Sequence, residues 1–278
     1  MHDRPSASPA YRRAYTYLHI AVLLFGFTAI LGRYITLSGT MITVYRMSLT
    51  LISLCFFPRI FSAVRSIPAR DRLRILGIGV LMALHWATFF EAIKLSNVSI
   101  TLSCFASTAF FTALIEPLFF KGRVNLLEVL LGCVVVVGFS FVFGIVGAEY
   151  WQGIVVAVIS AIIISLANVF NKSMVQRYDV FAVTWLEFIA GVAFLLAMLP
   201  FFIDQAGGKI WPTGQDWIAL LILALLCTTL AYTLNMKALK HVSAYTAALT
   251  INLEPVYGIM LAYLIFQENQ EVSPGFYI

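Results

Sequence analysis

Long apolar runs separated by short polar breaks dominate this chain. Nine of them are about 20 residues or longer: Tyr17 to Leu37, Met41 to Phe61, Ile75 to Leu95, Val98 to Phe120, Leu126 to Val146, Tyr150 to Phe170, Val180 to Ile203, Trp217 to Met236 and Ser243 to Phe266. A helix of roughly 20 mostly apolar residues crosses a hydrocarbon core. In lipid every backbone N–H and C=O must find a partner within the protein, so such runs predict helices. The alternating pattern of a membrane barrel is absent. The expected fold class is an all-α integral membrane protein with nine full spans. The first run follows Arg12 and Arg13, but it is too long for a signal core and lacks a small-x-small cleavage site, so it reads as an anchor.

The basic residues orient these spans. With the N-terminus in the cytoplasm, the inner segments hold Arg4, Arg12, Arg13, Arg59, Arg65, Arg70, Arg72, Arg74, Lys121, Arg123, Lys172, Arg177, Lys237 and Lys240. The outer ends hold only Arg33, Lys94 and Lys209, and Arg46 lies within a span. The bias satisfies the positive-inside rule at every inner loop, and a missed or invented span would have inverted every later loop. Composition agrees: 61% of the 278 residues are hydrophobic and 11% charged, against about 25% charged in soluble domains. The net charge of +5 comes from these scattered loop clusters, which argues for no nucleic-acid partner. Cys55, Cys104, Cys133 and Cys227 fall inside apolar runs without metal-ligand spacing, so no metal, cofactor or disulfide framework is expected.

The chain divides near Gly147. Leu95-Ser96-Asn97-Val98-Ser99 recurs as Leu239-Lys240-His241-Val242-Ser243, and each copy joins two spans tightly. Repeats of five spans, an odd number, enter the membrane with opposite topology, as in many secondary transporters. The expected organisation is a cytoplasmic tail, 1–16, a first repeat, 17–146, and a second, 150–278. A second five-span unit calls for a tenth helix after Phe266. The polar stretch Gln267 to Glu271 followed by Ser273-Pro274 reads as its start, so the sequence is expected to stop as that helix begins.

These features resemble the drug/metabolite transporter superfamily, specifically its EamA-type ten-helix exporters. The resemblance rests on Phe25-Gly26, Tyr45-Arg46, the Ala92 to Ser99 connection and, most specifically, Leu253-Glu254-Pro255-Val256-Tyr257-Gly258 followed by Leu264-Ile265-Phe266-Gln267-Glu268. The incomplete tenth span departs from the family pattern. The resemblance implies a multi-pass inner-membrane exporter of amino acids or other small metabolites, built from two inverted five-helix repeats. Its expected partners are a small-molecule substrate and the lipid bilayer, with protons a candidate coupling ion and a homodimer a candidate assembly.

Ionisable side chains at membrane depth cost about 2.5–3.5 kcal/mol each on insertion scales, so each needs a reason. Glu254 lies roughly 16 Å into its span at 1.5 Å per residue, close to the midplane. Pro255 beside it removes a backbone donor and frees carbonyls. Thr250 and Tyr257 share its helical face. Glu254 is therefore the first candidate for a substrate amine or a proton, against a packing role as a hydrogen-bonded carboxyl. His85 and Glu187 are further candidates within their spans, each weighed against a satisfied interhelical contact. Trp86, Trp185 and Tyr257 are expected along a central cavity because each is near an intramembrane charge. Arg46 is expected to form a structural ion pair with Glu91. Glu116 is expected to pair with Lys121 or Arg123 at the inner end. Asn168, Asn171, Asn235 and Asn252 read as interhelical polar contacts.

The competing readings are an intramembrane lipid-modifying enzyme and a non-transporting membrane scaffold. The sequence holds no Asp-rich cluster, no His-Glu-x-x-His and no Gly-x-Ser-x-Gly, and no phosphate loop for ATP-driven transport. A scaffold has no need of a charge at the position of Glu254.

Overall fold

The computed structural model describes residues 9–120, 130, 133, 147–202 and 209–270. It is an all-α membrane bundle. In chain order the helices are α1 (Pro9–Tyr34), α2 (Gly39–Cys55), α3 (Arg59–Ser66), α4 (Ala69–Leu95), α5 (Val98–Phe105), α6 (Thr108–Phe119), α7 (Trp151–Val175), α8 (Val180–Phe202), α9 (Gly214–Ala224), α10 (Ala231–Leu239), α11 (Ala244–Ile251) and α12 (Glu254–Phe266). Among the described residues seven helical segments are long and apolar enough to cross a membrane, or eight if α2 and α3 count as one span. The fifth expected span, Leu126 to Val146, and the start of a tenth lie outside the described residues.

The second expected span, Met41 to Phe61, is not one straight helix. Its axis turns by 99° between α2 and α3. Pro58 supplies the reason: it has no N–H to give and disfavours helical geometry at the residue before it. α3 then carries Arg59 and Arg65 outside and buries Ile60, a composition suited to the membrane surface.

The fourth and ninth spans are broken near their middles. In the ninth, Pro255 stands at the start of α12 and cannot donate to residue 251, so the ladder lapses at Asn252-Leu253. In the fourth, no proline acts. There the Ser107 hydroxyl donates to Cys104 O at 2.6 Å and the Thr108 hydroxyl to Phe105 O at 2.6 Å, taking up carbonyls that a continuous helix would use. A third interruption, the wide π-helical turn Leu225–Leu230, joins α9 to α10. The hydroxyls of Thr228 and Thr229 reach back five residues to Leu223 O at 2.7 Å and Ala224 O at 2.9 Å.

α4 is the central post, packed against α2, α7 and α8, while α1 packs on α10 and α12. Small residues permit the close crossings. A Cβ added at Gly26 would stand 3.0 Å from Tyr257 Cβ, and one at Gly79 2.6 Å from Glu187 Cα. Helix association in lipid relies on such approach, because the solvent offers no hydrophobic drive between spans.

Candidate functional site

Both broken spans face a cavity of about 60 Å³ in the core of the bundle. That is room for a few water molecules and not for a drug-sized ligand. Phe105 and Thr108 contribute from the break in the fourth span, Ile251 and Glu254 from the break in the ninth. A break in a span is tolerated where protein or a cavity surrounds it, and this placement meets that condition.

Arg46 reaches the cavity from α2 and is 1% exposed. Its guanidinium lies over the Trp86 ring at 4.2 Å and near Phe90 at 5.5 Å. Its Nε donates to Thr228 Oγ at 2.6 Å, and its Nη2 to Cys227 O at 3.4 Å. The π-helical turn thus presents a hydroxyl and a carbonyl to Arg46. Its third nitrogen, Nη1, is buried and has no acceptor among the described residues. Leaving a charged donor unmet is expensive, and the Trp86 ring beneath the guanidinium offsets part of that cost.

Glu254 is 5% exposed at the first position of α12 and lines the same cavity. No hydrogen bond from the described residues reaches its carboxylate. It is near enough to Arg46 for their charges to interact, yet the two form no ion pair. A buried carboxyl and a buried guanidinium therefore share one small cavity.

His85 and Trp86 also line it. His85 Nδ1 stands 2.8 Å from Ser160 Oγ and 3.2 Å from Ser160 O, and the carbonyl suits the Nδ1–H tautomer. The ring stacks on Phe105 at 5.5 Å. This is a held, interhelical histidine with an edge on the cavity. Trp86 supplies the aromatic floor under Arg46 and packs on Phe188 and Tyr232 at 5.4 and 5.8 Å.

The other sequence candidates are placed elsewhere. Glu187 is fully buried on α8, behind the cavity wall. Its Oε2 accepts from the Tyr232 hydroxyl at 2.7 Å, which in turn accepts from Asn171 Nδ2 at 3.0 Å. Trp185 packs edge-on against Phe61 of α3 at 5.4 Å. Tyr257 sits at the α1–α12 crossing beside Gly26. The Thr250 hydroxyl donates back to Thr246 O at 2.8 Å, within its own helix. None of these four lines the cavity.

The ion pair expected between Arg46 and Glu91 is not formed. Glu91 accepts from Gly39 N–H at 3.2 Å, at the start of α2. Arg46 is instead drawn to Thr228, Cys227 and Trp86. Lys121 and Arg123 lie outside the described residues, and Glu116 is instead 3.8 Å from Lys172. Sequence reasoning missed Tyr232, Asn168 and Asn235 as cavity residues. The two asparagines were visible as polar groups at depth but carried no sign of which way they faced. Among the described residues no group of three His, Cys, Asp or Glu could hold a metal ion.

Comparison with known proteins points one way. The EamA-like transporter family model matches this chain twice, over residues 12–144 and 151–273. An uncharacterized transporter, YxxF, of Bacillus subtilis (strain 168) is 22% identical over 199 residues, covering 69% of this chain and 61% of that protein. An uncharacterized transporter of Clostridium kluyveri is 25% identical over 191 residues, covering 66% of this chain and 60% of that protein. The matches thus span about three fifths of the length of these curated relatives. A solved crystal structure superposes with a TM-score of 0.69 at 19% identity, covering 90% of this chain and 87% of that one, and so shares the fold. With the family model matched over both halves, the chain belongs to the EamA-like transporter family.

Proposed function

We propose that this protein is a secondary carrier that exports amino acids or closely related small metabolites across the inner membrane, by alternating access between two inverted five-helix repeats. The observation that carries this reading is the shared cavity of Arg46 and Glu254. Nη1 of Arg46 has no acceptor among the described residues, and Glu254 opens on the same cavity. A solute bearing a carboxylate and an ammonium meets both with charge-assisted bonds, which an uncharged solute cannot match. The aromatic surfaces of Trp86, Phe89 and Phe105 then enclose its apolar part.

The doubled family match supports two repeats. Their inversion is supported by the fourth and ninth spans, which run antiparallel: Glu116 near the end of the fourth meets the start of the ninth, and Glu268 past the end of the ninth meets the start of the fourth. The basic residues favour a cytoplasmic N-terminus. Protons are the candidate coupling ion, with Glu254 the candidate carrier, and Glu254→Gln then removes the pH dependence of transport; a profile like that of the unchanged protein ends that role.

The direct test is efflux from loaded proteoliposomes with a panel of solutes. Amino acids are expected to leave fastest, and amine-only or carboxylate-only analogues at least tenfold more slowly. Equal rates for all three classes would overturn the reading.

A further inference from the structure

The fourth and ninth spans touch at their breaks, where Asn252 Nδ2 donates to Ala106 O at 2.9 Å. At each end of this crossing a carboxylate from one span fills the start of the other. Glu268, just past α12, accepts from the N–H groups of Val98 at 3.0 Å and Ser99 at 2.9 Å, and from the Ser99 hydroxyl at 2.5 Å. Arg33, in the last turn of α1, pairs with it. Glu116, in the last turn of α6, accepts from the N–H groups of Ala244 at 3.0 Å and Tyr245 at 2.8 Å. Lys172, near the end of α7, stands 3.8 Å away.

The two constructions match part for part. A side chain caps each receiving helix, Asn97 to Ile100 N–H and Ser243 to Thr246 N–H. The carboxylate takes the first two helical N–H groups, and a cation near the end of a long helix completes the site. In each, the carboxylate belongs to one of the two matched family segments or stands at its end, and the receiving helix and cation belong to the other. Because the spans are antiparallel, the two sites lie at opposite faces of the bundle.

We propose that Glu116 and Glu268 are paired latches, each closing one face of the central cavity by tying the two repeats together. The proposal rests on the carrier reading above. Charge-assisted bonds to helix N–H groups hold each latch shut. At a membrane face water can replace those bonds, so each latch is reversible; in the midplane the freed groups would have no partner. With both engaged, the cavity has room only for a few waters. Solute entry requires one latch to part while the other holds.

The latches are unequal. The Glu268 side chain is 0% exposed and Arg33 26%, whereas Glu116 and Lys172 are 15% and 14% exposed. Glu268 has three donors and a cation. Among the described residues Glu116 has two donors and a longer ion pair, so its face opens first. On the orientation set by the basic residues, that face is cytoplasmic.

The test needs no substrate. A cysteine is placed on the cavity wall by Ala248→Cys, in a Cys55→Ser, Cys133→Ser background whose own labelling serves as the blank. Labelling by a membrane-impermeant maleimide is timed in right-side-out and inside-out vesicles. Glu116→Gln is expected to speed labelling at least tenfold from the Glu116 face alone, and Glu268→Gln from the opposite face alone. The gentler Lys172→Gln and Arg33→Gln, which spare the helix N–H bonds, give smaller increases from the same respective faces. Size-exclusion profiles show which variants are folded. Equal acceleration from both faces, or none in any folded variant, overturns the latches. Face-selective labelling alongside a failed efflux assay would reject the amino-acid carrier reading and leave the latches standing; efflux with unselective labelling would do the reverse.

Discussion

Glu254 and Glu187 are both buried in the helical bundle, at 5% and 0% exposure, yet one faces a cavity and the other a polar side-chain junction. Glu187 Oε2 accepts from the Tyr232 hydroxyl, which Asn171 braces from a third helix, while Oε1 has no partner among the described residues. Its neighbours form a fixed polar junction among α7, α8 and α10. Glu254 has no such donor among the described residues and faces a cavity with Arg46. Both were legible as costly acids in apolar runs, and only their partners tell architecture from recognition. A buried group tied to its own chain stabilises that chain. One that faces a cavity is free to meet whatever enters it.

Substitutions sharpen this contrast. The largest expected effect is from Glu254→Gln, which keeps the shape and removes the charge. Loss of a charge-assisted contact worth about 1.5–3 kcal/mol predicts amino-acid efflux lower by about tenfold to 100-fold, with thermal stability little changed. Next is Thr228→Val, which deprives Arg46 Nε of its acceptor without touching the cavity. Losing one bond from a charged donor, worth about 1.5 kcal/mol at the low end, predicts about a tenfold rise in the half-saturating solute concentration, read in the same efflux assay. Glu187→Ala should act mainly on stability. It strands the Tyr232 hydroxyl, at about 1–3 kcal/mol, and is checked by thermal unfolding in detergent, with efflux by the folded fraction within about threefold of normal. Trp185→Phe, away from the cavity, is expected to leave efflux unchanged. An efflux loss from Glu187→Ala or Trp185→Phe equal to that of Glu254→Gln would erase the distinction.

Apolar run length was enough to place most of the spans, because lipid allows few alternatives for a long unpaired backbone. It could not place the bend at Pro58 inside what read as one run, nor the break at Ser107, which depends on hydroxyls satisfying local carbonyls. Glu254, His85 and Trp86 were found by asking which polar or amphipathic groups lay at depth, and they do meet at one cavity. Trp185 and Tyr257 were grouped with them by nearness to an intramembrane charge, and Thr250 and Tyr257 by sharing the helical face of Glu254. The break at Asn252-Leu253 does not carry that face through to Thr250. A helix turns 100° per residue, so nearness in sequence says little about facing. Arg46 was recognised as needing a partner, but Thr228 and Cys227 lie in a distant span and on a π-helical turn with no plain sequence signal. Glu268 was visible only as an acid beyond the ninth span. Its bonds to Val98 and Ser99 exist because two spans distant in sequence run antiparallel.

The most direct measurement is charge preference in a pair of complementary variants, Arg46→Met and Glu254→Gln. Uptake of an amino acid, its amine-only analogue and its carboxylate-only analogue is compared in proteoliposomes. If Arg46 holds the carboxylate and Glu254 the ammonium, Arg46→Met shifts preference toward the amine and Glu254→Gln toward the carboxylate, each by about tenfold or more, in opposite directions. Loss of all uptake to the same degree in both folded variants, or a shift in the same direction, would contradict a cavity built around one dipolar solute.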